Sequence, residues 1–351
     1  MTLKSISNKP VGVIGAGSFG TAVANLLAHN ADVLVYVRRK EVAEAMRKTR
    51  VSAGQSLAPN ITPTPDLAAV VECCTVIFPI VPSQGFKSMI RQLAPLLKPH
   101  HILIHGTKGL DVHWPTDTDS GALLKLTRGH IKTMSELIRA ESSVHQVGCL
   151  AGPNLASELA QAQPAAAVVA SSSEAVVAQG HKLLRSDRFQ VYTSKDLIGV
   201  ELCGVLKNVI AIGAGCLGGL GYGQNTKALL ISRGLIEMVY LGKAMGASIQ
   251  PFLGLAGLGD LVATCASSLS RNYMVGYSLA QGETLSQILA STAETIEGVH
   301  TVKVIRSLLA HYQARAPITE MIYRVLFEEL AVEEAIHYLM RYPLHVDVDF
   351  L

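Results

Sequence analysis

Charge is scarce in this sequence, and it is scattered. Only 16% of the 351 residues are Asp, Glu, Lys or Arg, the formal net charge is +3, and the longest Lys/Arg run is Arg38-Arg39-Lys40. A nucleic-acid partner calls for a basic stripe that this chain does not carry. The six cysteines, Cys73, Cys74, Cys149, Cys203, Cys216 and Cys265, make no C-x-x-C pair. Most sit in apolar runs, where a free thiol behaves as a small core residue, so reduced cysteines are expected and no metal site. Met1 to Pro10 lack the apolar stretch of a signal peptide. The longest apolar run, Val209 to Tyr222, is broken by five glycines and falls short of the ~20 residues that a bilayer needs. These absences lead us to expect a cytoplasmic protein with no integral membrane association.

What the chain does have is core material: 49% of it is hydrophobic. At ~150 residues per domain, the length suggests two domains. Short apolar runs at Val11–Gly15, Val33–Val37, Val76–Ile80, Ile102–His105, Val147–Leu150, Ala166–Ala170 and Phe189–Tyr192 alternate with helical stretches. Runs that are apolar at every position suit strands covered on both faces, the pattern of a doubly wound α/β sheet. After Asp196 the stretches Ile198–Gly213, Thr226–Ala247, Arg271–Gln281, Val299–Tyr312 and Ile318–Leu330 read as helices, and no strand pattern follows. The expected architecture is therefore a dinucleotide-binding sheet domain over residues 1–194 and an all-helical domain over residues 195–351. The polar segment Asp111–Ser120, with Trp114, reads as a surface loop.

Gly15-Ala-Gly17-Ser-Phe-Gly20 matches G-x-G-x-x-G, but so does Gly213-Ala-Gly215-Cys-Leu-Gly218. Context separates them. The first follows the strand-like Val11–Ile14 and opens a helix, where glycines permit a tight turn, close approach to a diphosphate and close helix packing. Amides at that helix N-terminus face the phosphates of a Rossmann-bound dinucleotide. The second follows a long helical stretch and reads as a flexible connection or a helix-packing device. Gly254-Leu-Ala-Gly257-Leu-Gly259 reads as a tight turn before Asp260. An acidic residue that would hold the ribose hydroxyls of NAD(H) is missing at the end of the second strand, where Arg38-Arg39 stands instead. Two guanidiniums suit a 2′-phosphate and favour NADP(H).

Lys207 lies in a helical stretch with Cys203, Gly204, Ile210 and Ala211 at helical spacing, and Glu201 is on another face. A buried ammonium must find a partner, and burial draws its pKa towards neutrality, as suits a group trading a proton with a hydroxyl. Lys108 follows the strand run Ile102–His105, beyond the carboxyl ends of the strands where open α/β sheets bind ligands. Ser270-Arg271-Asn272 opens a helix with Ser270 as N-cap and offers a phosphate site.

These residues meet a family. Asp196–Ile212, Phe252–Leu261, Ser270-Arg271-Asn272 and Glu297-Gly298, in this order after the glycine loop, closely resemble NAD(P)-dependent glycerol-3-phosphate dehydrogenase, the bacterial branch most of all. The resemblance implies reversible hydride transfer between nicotinamide and C2 of dihydroxyacetone phosphate or sn-glycerol 3-phosphate, feeding phospholipid synthesis. It implies that Lys207 is the proton acceptor and that Lys108 binds substrate and cofactor. It also implies substrate contacts from Gly152, Asn154, Asp260, Ser270, Arg271 and Asn272, cofactor contacts from Ser18, Phe19, Ala156, Arg271 and Glu297, and further polar positions at Asn208 and Thr264. A homodimer is implied as well. The chain departs from its relatives at Gly152-Pro-Asn154-Leu155, where they carry Ser or Thr followed by Phe, and Asp111–Ser120 resembles an insertion. A β-hydroxy-acid dehydrogenase of the same plan commonly places a lysine and an asparagine one helical turn apart. Here Lys207 and Asn208 are adjacent, with no Asn at 210 or 211. A non-catalytic redox sensor would need neither a buried lysine nor a phosphate cradle.

Overall fold

The computed structural model describes residues 9–115, 126–292, 296–343 and 346–348. The chain folds into two compact units, one of residues 1–107 and 134–197, the other of residues 108–133 and 198–351. A single cut near residues 193–196 does not describe this division, because the segment 108–133 packs with the helical part.

The first unit is built on strands β1 (Val11–Ile14), β2 (Val33–Tyr36), β3 (Val51–Ser52), β4 (Gln55–Ser56), β5 (Ile61–Thr64), β6 (Val76–Pro79) and β7 (Ile102–His105). Two short strands of the second unit, β8 (Leu110–Val112) and β9 (Ile131–Thr133), come next, and β10 (Gln146–Ala151), β11 (Ala165–Ala170) and β12 (Phe189–Ser194) return to the first. Eight of them form one sheet in the order β12-β11-β10-β7-β6-β1-β2-β5. Neighbours run parallel except for β10 and β11, so the last two strands oppose the rest. Successive strand residues face opposite sides. Val13, Phe78 and Ile104 bury in one core and Ile14, Ile77 and Leu103 in the other, with helices over both. Strand β5 escapes the sequence pattern because Ile61-Thr-Pro-Thr64 alternates and contains a proline. That residue is tolerated because β5 pairs only with β2, at the sheet edge.

In the second unit β8 and β9 pair antiparallel, so Asp111 and Val112 belong to a hairpin strand and not to a loop. Trp114 packs edge-on against His300 at 6.3 Å, and residues 116–120 of the expected loop lie outside those described. No strand follows Ser194 among the described residues. The central helix, Leu197–Gly219, is long and apolar enough to cross a membrane, but 94% of its most apolar window is buried within the protein. The second glycine match lies inside this helix and is no connection. Gly215 faces the Tyr273 backbone, Gly218 faces the Tyr273 ring, and Gly276 faces the carbonyl of Ile212, so these glycines let two helices cross at backbone contact. The third glycine cluster forms a π-helical turn, Leu255–Gly259, with Gly257 against the Phe252 backbone, and it feeds the helix Asp260–Ala266. Helices Leu285–Ser291 and Val332–Met340 complete what the sequence pattern left out. Five of the six cysteines are buried, Cys73 is exposed, and none forms a disulfide.

Candidate functional site

The glycine loop of the first unit connects β1 to the helix Ser18–Leu27. Gly15 turns with φ +117° against the carbonyl of Ile80, a conformation and a closeness that leave no room for a side chain. Gly20 packs on the Gly15 carbonyl, whereas a Cβ on Gly17 would meet nothing within 4 Å. The loop is therefore tight where it supports itself and open where a ligand would approach. Gly17 stands at the N-cap, and no side chain caps the helix or places a carboxylate in its first turn. Such a terminus attracts an anion. Phe19 packs against Gly106 within this unit.

A brace that the sequence did not announce holds the loop. Gln55 Nε2 donates to the Ser18 carbonyl at 2.8 Å, Ser52 Oγ donates to the Ala16 carbonyl at 3.3 Å, and the hydroxyls of Ser52 and Thr21 bond at 2.9 Å. All three bonds come from the hairpin β3–β4, whose turn carries positive φ at Ala53 (46°) and Gly54 (74°). The Ala-Gly turn is the sequence signal, and it is weak.

Arg38 and Arg39 follow β2 directly, are exposed, and have no ion-pair partner among the described residues. β10 leads directly into Gly152, which turns with φ +128°. Two residues on, both amide atoms of Asn154 are buried without a hydrogen-bond partner among the described residues. A buried polar pair left unsatisfied is uncommon and calls for a ligand or a water. Ala156 opens a short helix, Ala156–Ala160, that packs against Ser18–Leu27. An open, uncapped helix start, two free guanidiniums and an orphaned amide fit a phosphorylated dinucleotide and a polar co-substrate.

The second unit supplies the titratable groups. Lys207, on the central helix, is 5% exposed, and Asp260, at the start of its helix, is 2% exposed. Lys207 Nζ donates to Asp260 Oδ1 at 2.6 Å and to Thr264 Oγ1 at 2.5 Å. Lys108 Nζ donates to the other carboxylate oxygen at 2.7 Å. The Thr264 hydroxyl donates to the Asp260 carbonyl, which leaves its lone pairs to Lys207. One carboxylate therefore bridges two ammoniums, and the cluster keeps one net positive charge.

Burial, helped by the Lys108 charge, lowers the Lys207 pKa to about 8 against the pull of Asp260. Burial alone would raise Asp260, but Lys108 and Lys207 outweigh it and hold the carboxyl below its ordinary range. Gly204, one turn before Lys207, would carry a Cβ 3.3 Å from the Lys108 side chain, so a glycine there admits the second lysine.

The remaining residues form a second group in the same unit. Ser270 Oγ accepts from the Tyr273 amide at 3.2 Å and caps the helix Arg271–Ala280. Asn272 Oδ1 accepts from the Gly298 amide at 3.0 Å, so its Nδ2 is not used in this bond. A Cβ on Gly298 would also lie 3.0 Å from the carbonyl of Asn208. Asn272, Asn208 and Gly298 thus converge, with Arg271 and Glu297 next to them along the chain, Arg271 exposed and Asn208 buried. Among the described residues no group of three His, Cys, Asp or Glu side chains could hold a metal ion.

Sequence profiles of two families match the chain. Residues 10–177 match the N-terminal part of NAD-dependent glycerol-3-phosphate dehydrogenase, and residues 196–337 match its C-terminal part. A glycerol-3-phosphate dehydrogenase (NAD(P)+) from Azotobacter vinelandii is 38% identical over 99% of this chain and 98% of its own. One from Pseudomonas putida is 40% identical over 98% of this chain and 97% of its own. A solved glycerol-3-phosphate dehydrogenase from Coxiella burnetii superposes with a TM-score of 0.83 at 31% identity, covering 95% of this chain and 99% of its own.

Proposed function

Because the chain belongs to the NAD-dependent glycerol-3-phosphate dehydrogenase family, we propose that it interconverts dihydroxyacetone phosphate and sn-glycerol 3-phosphate with NADP(H) or NAD(H). When bound, the nicotinamide gives or takes the hydride at C2. In reduction the substrate gains that hydride and one proton, and oxidation returns both. Lys207 donates the proton through Nζ to the carbonyl oxygen and recovers it in the reverse direction. With a pKa of about 8 it is mostly protonated at neutral pH yet loses its proton within about one pH unit above it, and so can serve both directions. Asp260 orients the ammonium, and Lys108 adds positive charge where the substrate oxygen becomes negative. The observation that carries this reading is the buried carboxylate of Asp260 shared by the two lysines.

Ser270, Arg271 and Asn272 hold the substrate phosphate at a capped helix start, and Gly152 and Asn154 supply further polar contacts. Gly15, Gly17 and Gly20, with Ser18, Phe19, Ala156, Lys108, Arg271 and Glu297, hold the cofactor. Arg38 and Arg39 take the 2′-phosphate and favour NADP(H). The assignment of cofactor binding to residues 1–194 and substrate chemistry to residues 195–351 is part of this proposal, with Lys108 on the substrate side by its packing. So are a cytoplasmic location, a homodimer and a role in supplying glycerol 3-phosphate for phospholipid synthesis.

The test is the fall in absorbance of NADPH and of NADH on addition of dihydroxyacetone phosphate. Oxidation that depends on this substrate, in equal moles, supports the proposal. A chain that binds the cofactor but leaves it reduced would be a sensor and not this enzyme.

A further inference from the structure

One apolar cavity plays no part in this chemistry. It measures about 420 Å³ and lies in the helical unit, walled by Leu217, Leu230, Ile236, Ile336 and Leu339. That volume falls in the range of small-molecule sites, ~300–1,000 Å³. Arg315 and Tyr342 line it and also line an adjoining hollow of about 770 Å³. The other walls of this hollow include Arg341, His337 and Glu334. An apolar cavity therefore opens through one arginine into a basic antechamber. Arg315 and Arg341 are exposed and have no ion-pair partner among the described residues. Of the two nearby carboxylates, Glu334 faces the hollow, and Glu237 is committed to the amides of Ile318 and Thr319 at 2.6 and 3.0 Å.

We propose that these two spaces bind a single-chain amphiphile with a phosphate-type head, its alkyl tail in the cavity and its dianion on Arg315 and Arg341. The tail is recognised by apolar burial and the head by charge-assisted bonds from two guanidiniums. Neither element alone makes the site: Arg233, the cation on the cavity wall, is already engaged by the Asp347 carbonyl at 2.6 Å, and the hollow offers no enclosure.

Calorimetry on the full chain tests this with dodecyl phosphate, decyl phosphate, dodecanol and inorganic phosphate, each below its micelle concentration. One dodecyl phosphate should bind per chain. It should bind roughly fifteenfold more tightly than decyl phosphate, at about fourfold for each of two buried methylenes. Arg315→Glu with Arg341→Glu should weaken dodecyl phosphate at least tenfold and leave dodecanol unchanged. Ile336→Trp, which fills the cavity, should weaken both. Turnover with dihydroxyacetone phosphate should be unaltered in these variants and serves as the check on folding. Non-saturable binding, equal affinity for the phosphate and the alcohol, or indifference to Ile336→Trp would overturn the proposal. So would a smaller sedimenting mass for Ile336→Trp, since the cavity would then be covered by a second copy of the chain.

Discussion

Lys207 has no carboxylate within reach along its own helix, and its partner comes from more than fifty residues downstream, with both groups almost fully buried. The sequence shows that a lysine in such company must be paired, but not with what, because the pairing is made by tertiary packing. Only the resemblance singled out Asp260, and Thr264 as the second acceptor is legible in neither spacing nor charge. Removing the ammonium in Lys207→Ala should depress kcat ~10²–10⁴-fold and change the substrate Kd far less. A main effect on KM would make the lysine a binding group. In the unaltered protein, reduction needs the protonated lysine, so its rate should fall as pH rises through about 8, and the oxidation rate should rise there. Asp260 raises the Lys207 pKa, so Asp260→Asn should move both limbs to lower pH. Limbs that stay in place would assign the titration to another group.

At the scale of elements, the two G-x-G-x-x-G matches show what a pattern can and cannot say. The flanking strand and helix correctly mark Gly15–Gly20 as a turn that opens a helix, whereas Gly213–Gly218 became a helix interior whose purpose lies in the partner helix. Gly215 and Gly276 let the central helix meet the helix Arg271–Ala280 at backbone contact. A methyl at Gly276 would overlap the Ile212 carbonyl, so Gly276→Ala should destabilise by at least the ~1–3 kcal/mol of core overpacking. It should also raise the KM for dihydroxyacetone phosphate, because the displaced helix begins with Arg271. Denaturant unfolding and steady-state kinetics read the two effects, and an unchanged stability would show that the crossing is loose.

A second element-scale device is Glu237, which holds the start of the helix Pro317–Phe327. Burial raises its pKa from 4.5 to about 7, although bonds from Ile318 and Thr319 oppose the rise. The folded chain thus keeps a proton that the unfolded chain releases near pH 4.5. The associated stability is fully present below that pH and is lost as pH climbs through about 7, by on the order of 3 kcal/mol. In Glu237→Gln this part of the pH dependence should vanish, as urea unfolding from pH 5 to pH 8 would show. Parallel curves for the two proteins would mean that the carboxylate stays ionised throughout.

For the molecule as a whole, the fold class was legible because strands apolar at every position and helices apolar nearly all round are bulk patterns. The reversed pair β11–β12 and the transfer of residues 108–133 to the helical unit were not, since both are choices of chain path between similar elements. The division of labour has an energetic consequence. Arg38 and Arg39 belong to the sheet unit and Arg271 to the helical unit. Losses at sites without shared partners usually add to within ~0.5 kcal/mol. Arg38→Ala with Arg39→Ala should weaken NADPH far more than NADH, by roughly 1.5–3 kcal/mol for each lost guanidinium contact. Arg271→Ala should raise the KM for dihydroxyacetone phosphate steeply, because the phosphate is present in ground and transition states alike. Part of kcat should go with it through poorer alignment of the reacting carbons. The three changes together should lower kcat/KM with NADPH by the sum of the separate free energies. A kinetic cycle over the four proteins measures the coupling directly. A coupling above about 1 kcal/mol would mean that Arg271 contacts the cofactor at the same phosphate as Arg38 and Arg39.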